Sequence, residues 1–372
     1  MADDVVVELV RTRSDRRTFR LLPHRLYADD PHWVAPLNLD VKAFLSGRHP
    51  YYENGEIAFY LARRGGEVVG RIAAIENRTH NEQKNERGAF FGFFETIDDR
   101  DVSRALFDQV AAWARERDLD SLRGPTSPSL NYESGLLVTG EPGPPVLMMP
   151  HNPLWYADHV EAHGFRKEMD LDAFWLDREI IDLDRWDRLS GRILARNQVT
   201  TRLLDMSRFE DEVRLVMDIF NDAWSENWGF VPLSQREFDA LAKELKQGVH
   251  PGLGSFLVRE GREIGFWIGL PDYNRILIEL KGRLLPFGWL KLLRAKRRLD
   301  AMRVLLMGVR KEHQHLGLDS GLYANIVKQG FEHDIHGAEC SWILETNKPM
   351  ANTLTRVGAR KYRSYRIFRR VL

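Results

Sequence analysis

One run of elements occurs twice in this chain, and that repetition limits the folds open to it more than any single motif. In the first half, Glu56–Arg64 and Glu67–Asn77 read as a hairpin turning at Gly65–Gly66, rich in β-branched and aromatic residues. A strand at Ala89–Glu95 follows. Asp101–Arg117 then places Val102, Leu106, Val110 and Trp113 at helical spacing. After two Gly/Pro-rich stretches, Gly124–Leu130 and Gly140–Pro145, come a short helix at Leu154–His163 and a strand at Phe165–Leu176. The second half predicts helices at Glu210–Trp224 and Ser234–Gln247, then a hairpin at Ser255–Arg259 and Glu263–Leu270. It continues with a strand at Arg303–Val309, a helix at Gly317–His333, a strand at Ala338–Glu345, a helix at Pro349–Val357 and a closing strand at Lys361–Val371. With 372 residues there is material for two domains. The charged stretch Asp177–Asp187 separates the series, so the expected organisation is α/β, two mixed-sheet domains over 1–180 and 181–372.

Lys plus Arg and Asp plus Glu are equal at 54 each, which argues against a nucleic-acid partner, but the charge is unevenly spread. Residues 1–180 carry 22 basic and 30 acidic side chains, and 181–372 carry 32 and 24. The cationic half suits a polyanionic or membrane-surface partner. One cysteine, Cys340, excludes an internal disulfide and a multi-thiolate zinc site, and no metal is expected. His159 and His163 have zinc-like spacing without an evident third ligand. The start lacks the pattern of a signal peptide, and no apolar run has membrane-spanning length. The expectation is a cytoplasmic chain, at most peripheral on the inner face of a membrane.

The stretch Arg303–Gln329 drives an apolar strand through a short polar turn straight into a long helix. Such a turn aims backbone N–H groups at a phosphate, where the helix dipole favours negative charge. The bland reading is an ordinary strand–turn–helix with Gly317 at the bend. This segment resembles the GNAT acyltransferase superfamily, whose pyrophosphate turn reads Arg/Gln-x-x-Gly-x-Gly/Ala. Gln314, Gly317 and Asp319 stand in its defined places, Asp319 being a departure that adds a Cβ and a negative charge. Asn347 followed by Gly358 matches the family's next helix, while Leu354 stands where a general-acid Tyr is usual.

EVVGRIAAIEN, AFFGFFE, RGPTSPSLNYESGLLVTG and MMPHNPLWYADHVEAHGF extend the resemblance over nearly the whole chain, to a bacterial family of tandem GNAT-like proteins that includes ceramide synthases. It implies two GNAT-like domains packed together, an acyl-CoA co-substrate and amide formation on a long-chain amine such as a sphingoid base. Coenzyme A would lie on Met307, Gly308, Val309, Gln314, His315, Leu316, Gly317, Leu318, Asp319 and Asn347. At the equivalent place in the first half, Asp98, Asp99 and Asp101 would repel a diphosphate, so that domain is expected to have lost the site. Acetylation of a small soluble amine and an inactive CoA- or lipid-binding adaptor are the alternative functions.

Amide formation needs a neutral amine and a proton for the leaving thiolate. Glu345, at a strand end, is either the base or a salt-bridge partner of the closing strand's arginines. Tyr362 and Tyr365 are candidates for the acid, and His315 is either a phosphate donor or an exposed loop histidine. Asn131 and Glu133 either bind the acceptor or bond within a turn-rich connector. Leu280–Arg303 carries eight basic residues and one acid, interleaved with Leu, Phe and Trp, and reads as an interfacial membrane segment, a lid or a packed helix.

Overall fold

The computed structural model describes residues 4–36, 39–246, 248–281 and 299–372. The chain forms two compact units. The first comprises the described residues within Met1–Leu171, Asn274–Leu292 and Arg363–Leu372, and the second those within Asp172–Tyr273 and Leu293–Tyr362. Two segments late in the chain thus return to the first unit. Most of the basic stretch Leu280–Arg303, residues 282–298, lies outside the described residues.

In the first unit the strands β1 (Val6–Leu9), β2 (Gly55–Arg64), β3 (Glu67–Asn77), β4 (Gly88–Thr96) and β5 (Ser121–Gly124) lie side by side in that order. A small pair, β6 (Thr126–Ser127) and β7 (Glu133–Ser134), stands apart, and β8 (Leu136–Gly140) follows. The strand β9 (Arg166–Asp177) starts in this unit and ends in the second. The middle of β3 is largely apolar because both of its faces are covered. Ile72 and Ala74 pack with Leu106, Phe107 and Val110 of the helix Arg100–Arg115, while Ala73 and Ile75 face Phe19, Phe59 and Phe90.

In the second unit the order runs from β9 through β14 (Gly337–Leu344), β13 (Ala301–Val309), β12 (Arg262–Pro271) and β11 (Gly254–Arg259) to β10 (Val199–Leu203). Its two faces are covered by different helices. Phe266 joins Val216, Ile219 and Phe220 of the helix Phe209–Trp224, and Trp267 joins Leu322 and Ile326 of the helix Asp319–Glu332. Cys340 lies in this second core, where burial pushes its thiol up to about 12. β15 (Arg360–Val371) closes the chain, pairing from Arg363 onward with β8 and β5 of the first unit.

The two units share one device. β13 and β14 are parallel and in register from Ala301↔Gly337 only to Val304↔Cys340, after which both strands run on. β4 and β5 are likewise parallel, from Gly88↔Ser121 to Phe90↔Arg123, after which β4 continues to Thr96. Each parallel pair therefore splays apart after a few residues.

Local chemistry sets the helix ends. Thr12 and Ser234 form capping boxes with Asp15 and Glu237, so the first helix starts at Arg13. The charged stretch Asp177–Asp187 is no plain linker: Asp182 caps a helix over Leu183–Arg196. Its apolar side packs on the second core through Ile193 and Leu194.

Candidate functional site

In the second unit, β13 leaves its partner at Val304 and runs through Leu305, Leu306 and Met307, each half-exposed, to Gly308 and Val309. Its pairing with β12 slips between Ile268 and Gly269, and this bulge bends the strand at the splay. Lys311–Leu316 then forms one tight helical turn. Gln314 donates from Nε2 to the carbonyls of Val309 (3.0 Å) and Ala223 (3.3 Å), tying the turn to β13 and to the helix Phe209–Trp224. Gly317 takes a left-handed conformation (φ 69°), and a Cβ there would meet no atom within 4 Å. The helix that follows starts at Asp319 with Leu318 as its N-cap and no side-chain hydrogen bond to its first turn. That is the arrangement a diphosphate needs: an uncapped helix N-terminus behind a glycine bend, beside an open strand edge. Asp319 is the first helical residue and does not cap. The Met307 carbonyl already accepts the Trp224 indole N–H at 3.0 Å, so one of its lone pairs is taken.

The same place in the first unit is closed twice over. Asp99 caps the helix Arg100–Arg115, its Oδ1 accepting from the N–H groups of Asp101 (2.9 Å) and Val102 (3.2 Å), and its Oδ2 meets Arg64 at 2.7 Å. β6 lies against β4 beyond its splay: Ser127 Oγ accepts from the Phe93 N–H at 3.1 Å, and the Thr126 carbonyl approaches Gly92. His159 and His163 turn to separate partners, Asp98 (3.1 Å) and Ser103 (3.2 Å). Arg64 before all else holds the Asp99 carboxyl below its ordinary range, so its contribution to stability is present at neutral pH and lost as pH falls through the lowered value. Replacing Asp99 by Ala is expected to cost about 1–2 kcal/mol in urea unfolding at pH 7 and much less in acid.

The other expected site residues are scattered. Glu345 lies half-buried in the turn after β14, and His315 and Leu316 are exposed. Asn347 caps the helix Lys348–Val357, its Oδ1 accepting from the Met350 N–H at 3.2 Å. Tyr362 belongs to the second unit and Tyr365 to the first, where it is fully buried against Gly135. Tyr362 lies beside Glu339, which sequence reasoning passed over. Glu339 is fully buried on β14 at the base of the splay, and burial raises its carboxyl against the pull of Arg303 and of the Ser341 and Tyr362 hydroxyls. Arg303 donates to Ser341 at 3.2 Å.

A second polar cluster lies within the first unit, and of the expected residues it includes only Glu133. Glu95, near the end of β4, accepts hydrogen bonds on Oε2 from Tyr27 (2.6 Å) and Tyr156 (3.0 Å), while Arg71 stands 3.6 Å from Oε1. Arg71 is 7% exposed and donates to the Phe19 carbonyl at 2.7 Å. Burial and the Glu95 charge raise both phenols well above their usual value, so both stay neutral donors. Glu133 on β7 is solvent-accessible, whereas Asn131 sits in the preceding turn, its N–H donating to Ser129 Oγ. A signal for this cluster was on view: Arg71 interrupts the apolar run VVGRIAAI, and Glu95 closes AFFGFFE.

Two parallel strands that part, a glycine bend and an uncapped helix define the GNAT acyltransferase fold. No family model matches the chain. Protein YghO of Escherichia coli (strain K12) is 36% identical over 370 residues, 97% of this chain and 94% of that one. The Bacterial ceramide synthase of Caulobacter vibrioides (strain NA1000 / CB15N) is 36% identical over 377 aligned positions, 99% of this chain and 98% of its own. Among solved structures, the tandem GNAT protein from the clavulanic acid biosynthesis pathway superposes with a TM-score of 0.60 at 15% identity, covering 99% and 98% of the two chains. A GCN5-related N-acetyltransferase from Sphaerobacter thermophilus gives 0.53 at 11%, covering 99% and 95%. The chain belongs to the family of tandem GNAT acyltransferases that holds bacterial ceramide synthase and YghO. The fold implies an acyl-CoA co-substrate. Among the described residues no helix is long and apolar enough to cross a membrane.

Proposed function

We propose that this protein joins a long acyl chain from acyl-CoA to the amine of a lipid acceptor such as a sphingoid base, with the thioester held by the second unit alone. The contrast between the two helix starts carries the assignment to the second unit: Leu318 leaves one open, while Asp99 fills the other. The relative named as a ceramide synthase, matched end to end, supports the acceptor class.

The thioester supplies an activated acyl group: its C–S bond breaks as the amide C–N bond forms, and the displaced proton leaves with the thiol. In this reading the amides from Gln314 to Asp319 hold the diphosphate. Gln314 does so indirectly, since its side chain pins the turn to β13. The strand edge at Met307–Val309 pairs with the pantetheine arm. Glu345 is proposed to take the ammonium proton and Asn131 and Glu133 to contact the acceptor, and Tyr362, Tyr365 and His315 remain proposed contributors. Acyl-CoAs of increasing length, incubated with a panel of amines and read by mass spectrometry, test this. A long-chain amide is the expected product. Only short-chain products on soluble amines would overturn the lipid assignment, and no amide with any pair would leave a binding protein.

The basic stretch at 280–303 is proposed to dock on an anionic membrane surface, where each cation contributes at most about 1 kcal/mol. Changing Lys296, Arg297 and Arg298 together to Gln is expected to weaken binding to phosphatidylserine vesicles by at least about tenfold, with activity on short soluble amines retained. Unchanged vesicle binding would assign that stretch another role.

A further inference from the structure

Where β13 and β14 part, we propose that Glu339 carries the proton of the acyl-transfer step, taking it from the attacking amine and handing it to the leaving thiolate. This deepens the N-acyltransferase reading and rests on it. Every group invoked belongs to the second unit. Glu339 is fully buried on β14, and its register partner on the parallel strand is Arg303. Pairing ends one residue further on, at Cys340, so the carboxyl stands at the base of the splay. Among the described residues no donor reaches either of its oxygens in hydrogen-bonding geometry, and Nε1 of Trp342 is likewise buried without an acceptor. Arg303 does not fill this gap. Its Nε donates to Ser341 at 3.2 Å, and its guanidinium lies over the Trp342 ring, 5.1 Å from the centroid. On the face of β14 that Glu339 shares, Trp175 of β9 covers Gly337 and packs edge-on against Tyr362, with ring centroids 6.0 Å apart.

Buried carboxylate oxygens without a partner are rare and costly, so this place is short of a donor. The proposed thioester explains what supplies one. Its arm, laid back along β13 from the turn at Gln314, runs from Val309 toward Val304, about 17 Å at roughly 3.3 Å per residue. The acyl carbon then lies beside the last paired residues, Val304 and Cys340, and an attacking amine brings its N–H groups to Glu339. In the step, the amine nitrogen bonds to the acyl carbon, and an N–H bond breaks as an O–H bond forms on Glu339. The C–S bond then breaks with its electron pair left on sulfur, and the same proton passes from Glu339 to the thiolate. The carboxylate is restored, and no second acid is consumed. Glu345 keeps its separate proposed task, the earlier removal of the ammonium proton. Glu339 also supplies the acid that Leu354 cannot. Burial raises the Glu339 carboxyl, with Arg303 opposing, which suits a group that holds a proton between two transfers. The other ionisable groups around it are Asp272, next to the Pro271–Met302 pair, Tyr362 and the Cys340 thiol.

The test uses the full chain with palmitoyl-CoA and two acceptors near neutral pH. Dodecylamine enters as an ammonium, whereas O-dodecylhydroxylamine is already neutral and bypasses the ammonium step. Glu339→Gln keeps the size of the side chain and cannot carry the proton. It is expected to lower kcat by about 10²–10⁴-fold with both acceptors, while palmitoyl-CoA binds in calorimetry as it does to the wild type. Glu339→Asp draws the carboxyl back and should lower kcat by about 100-fold, again with palmitoyl-CoA binding retained. Wild-type kcat in Glu339→Gln, or in Glu339→Asp where the Gln variant does not fold, overturns the inference and leaves a buried carboxyl bonded to water. A loss confined to dodecylamine would make Glu339 the base for the ammonium and overturns it too. So does a loss matched by weaker palmitoyl-CoA binding, which would make Glu339 structural. In each of those results the wild type still forms amide and the acyltransferase reading stands. No amide from the wild type with either acceptor discards that reading, and this inference with it.

Discussion

Replacing Gly317 by Glu should reduce the affinity for coenzyme A by at least about 100-fold in calorimetry at fixed salt, close to 3 kcal/mol. The substitution places a carboxylate at the uncapped start of the helix Asp319–Glu332, where the proposed diphosphate competes for the same N–H groups. It should leave the fold intact. A Cβ at this position meets nothing within 4 Å, and the left-handed backbone costs a non-glycine residue only about 1 kcal/mol. Gly317→Ala carries the same strain without the charge and should bind nearly as the wild type does. Equal affinity for coenzyme A in wild type and Gly317→Glu would move the site away from this turn.

Gly92→Ala should cost more than about 3 kcal/mol in denaturant unfolding, a large effect for one methyl group. A Cβ there would come within 1.6 Å of the Thr126 carbonyl oxygen, and backbone on both sides leaves nothing flexible to yield. To admit it, β6 must lift off β4, giving up the Ser127 contact to the Phe93 N–H. If Gly92→Ala is as stable as the wild type, Thr126–Ser127 does not fill the splay of the first unit. Since β6 also carries β7, the variant should impair Glu133 as well.

Much of the fold was legible because its signals are local. The hairpin at Gly65–Gly66, the apolar run of β13 and the periodicity of Arg100–Arg115 each depend on a few neighbouring residues. Helices whose buried face is narrow were harder to read. In Leu183–Arg196 only Ser190 is fully buried, and six charged side chains conceal the stripe that packs. The site was legible in the same uneven way. Gln314, Gly317 and Asp319 are close in sequence, so the turn they form announces itself. Arg71, Glu95, Tyr27 and Tyr156 come from four separate elements, and no spacing rule connects them.

By itself, the sequence determined the two series of strands and helices, the polar turn at Gln314–Asp319 and the acidic start of Arg100–Arg115, because turn chemistry and periodicity act over a few residues. Only the tertiary structure decided which splay stays open. That depends on Thr126 reaching Gly92 and on Asp99 folding back over its own helix, and neither contact follows from composition. Tertiary structure also returned Arg363–Leu372 to the first unit and set Arg71 beside Glu95. Long-range packing chooses among partners that local propensity leaves equal, and a carboxylate's affinity for a proton depends on which charges that packing brings near.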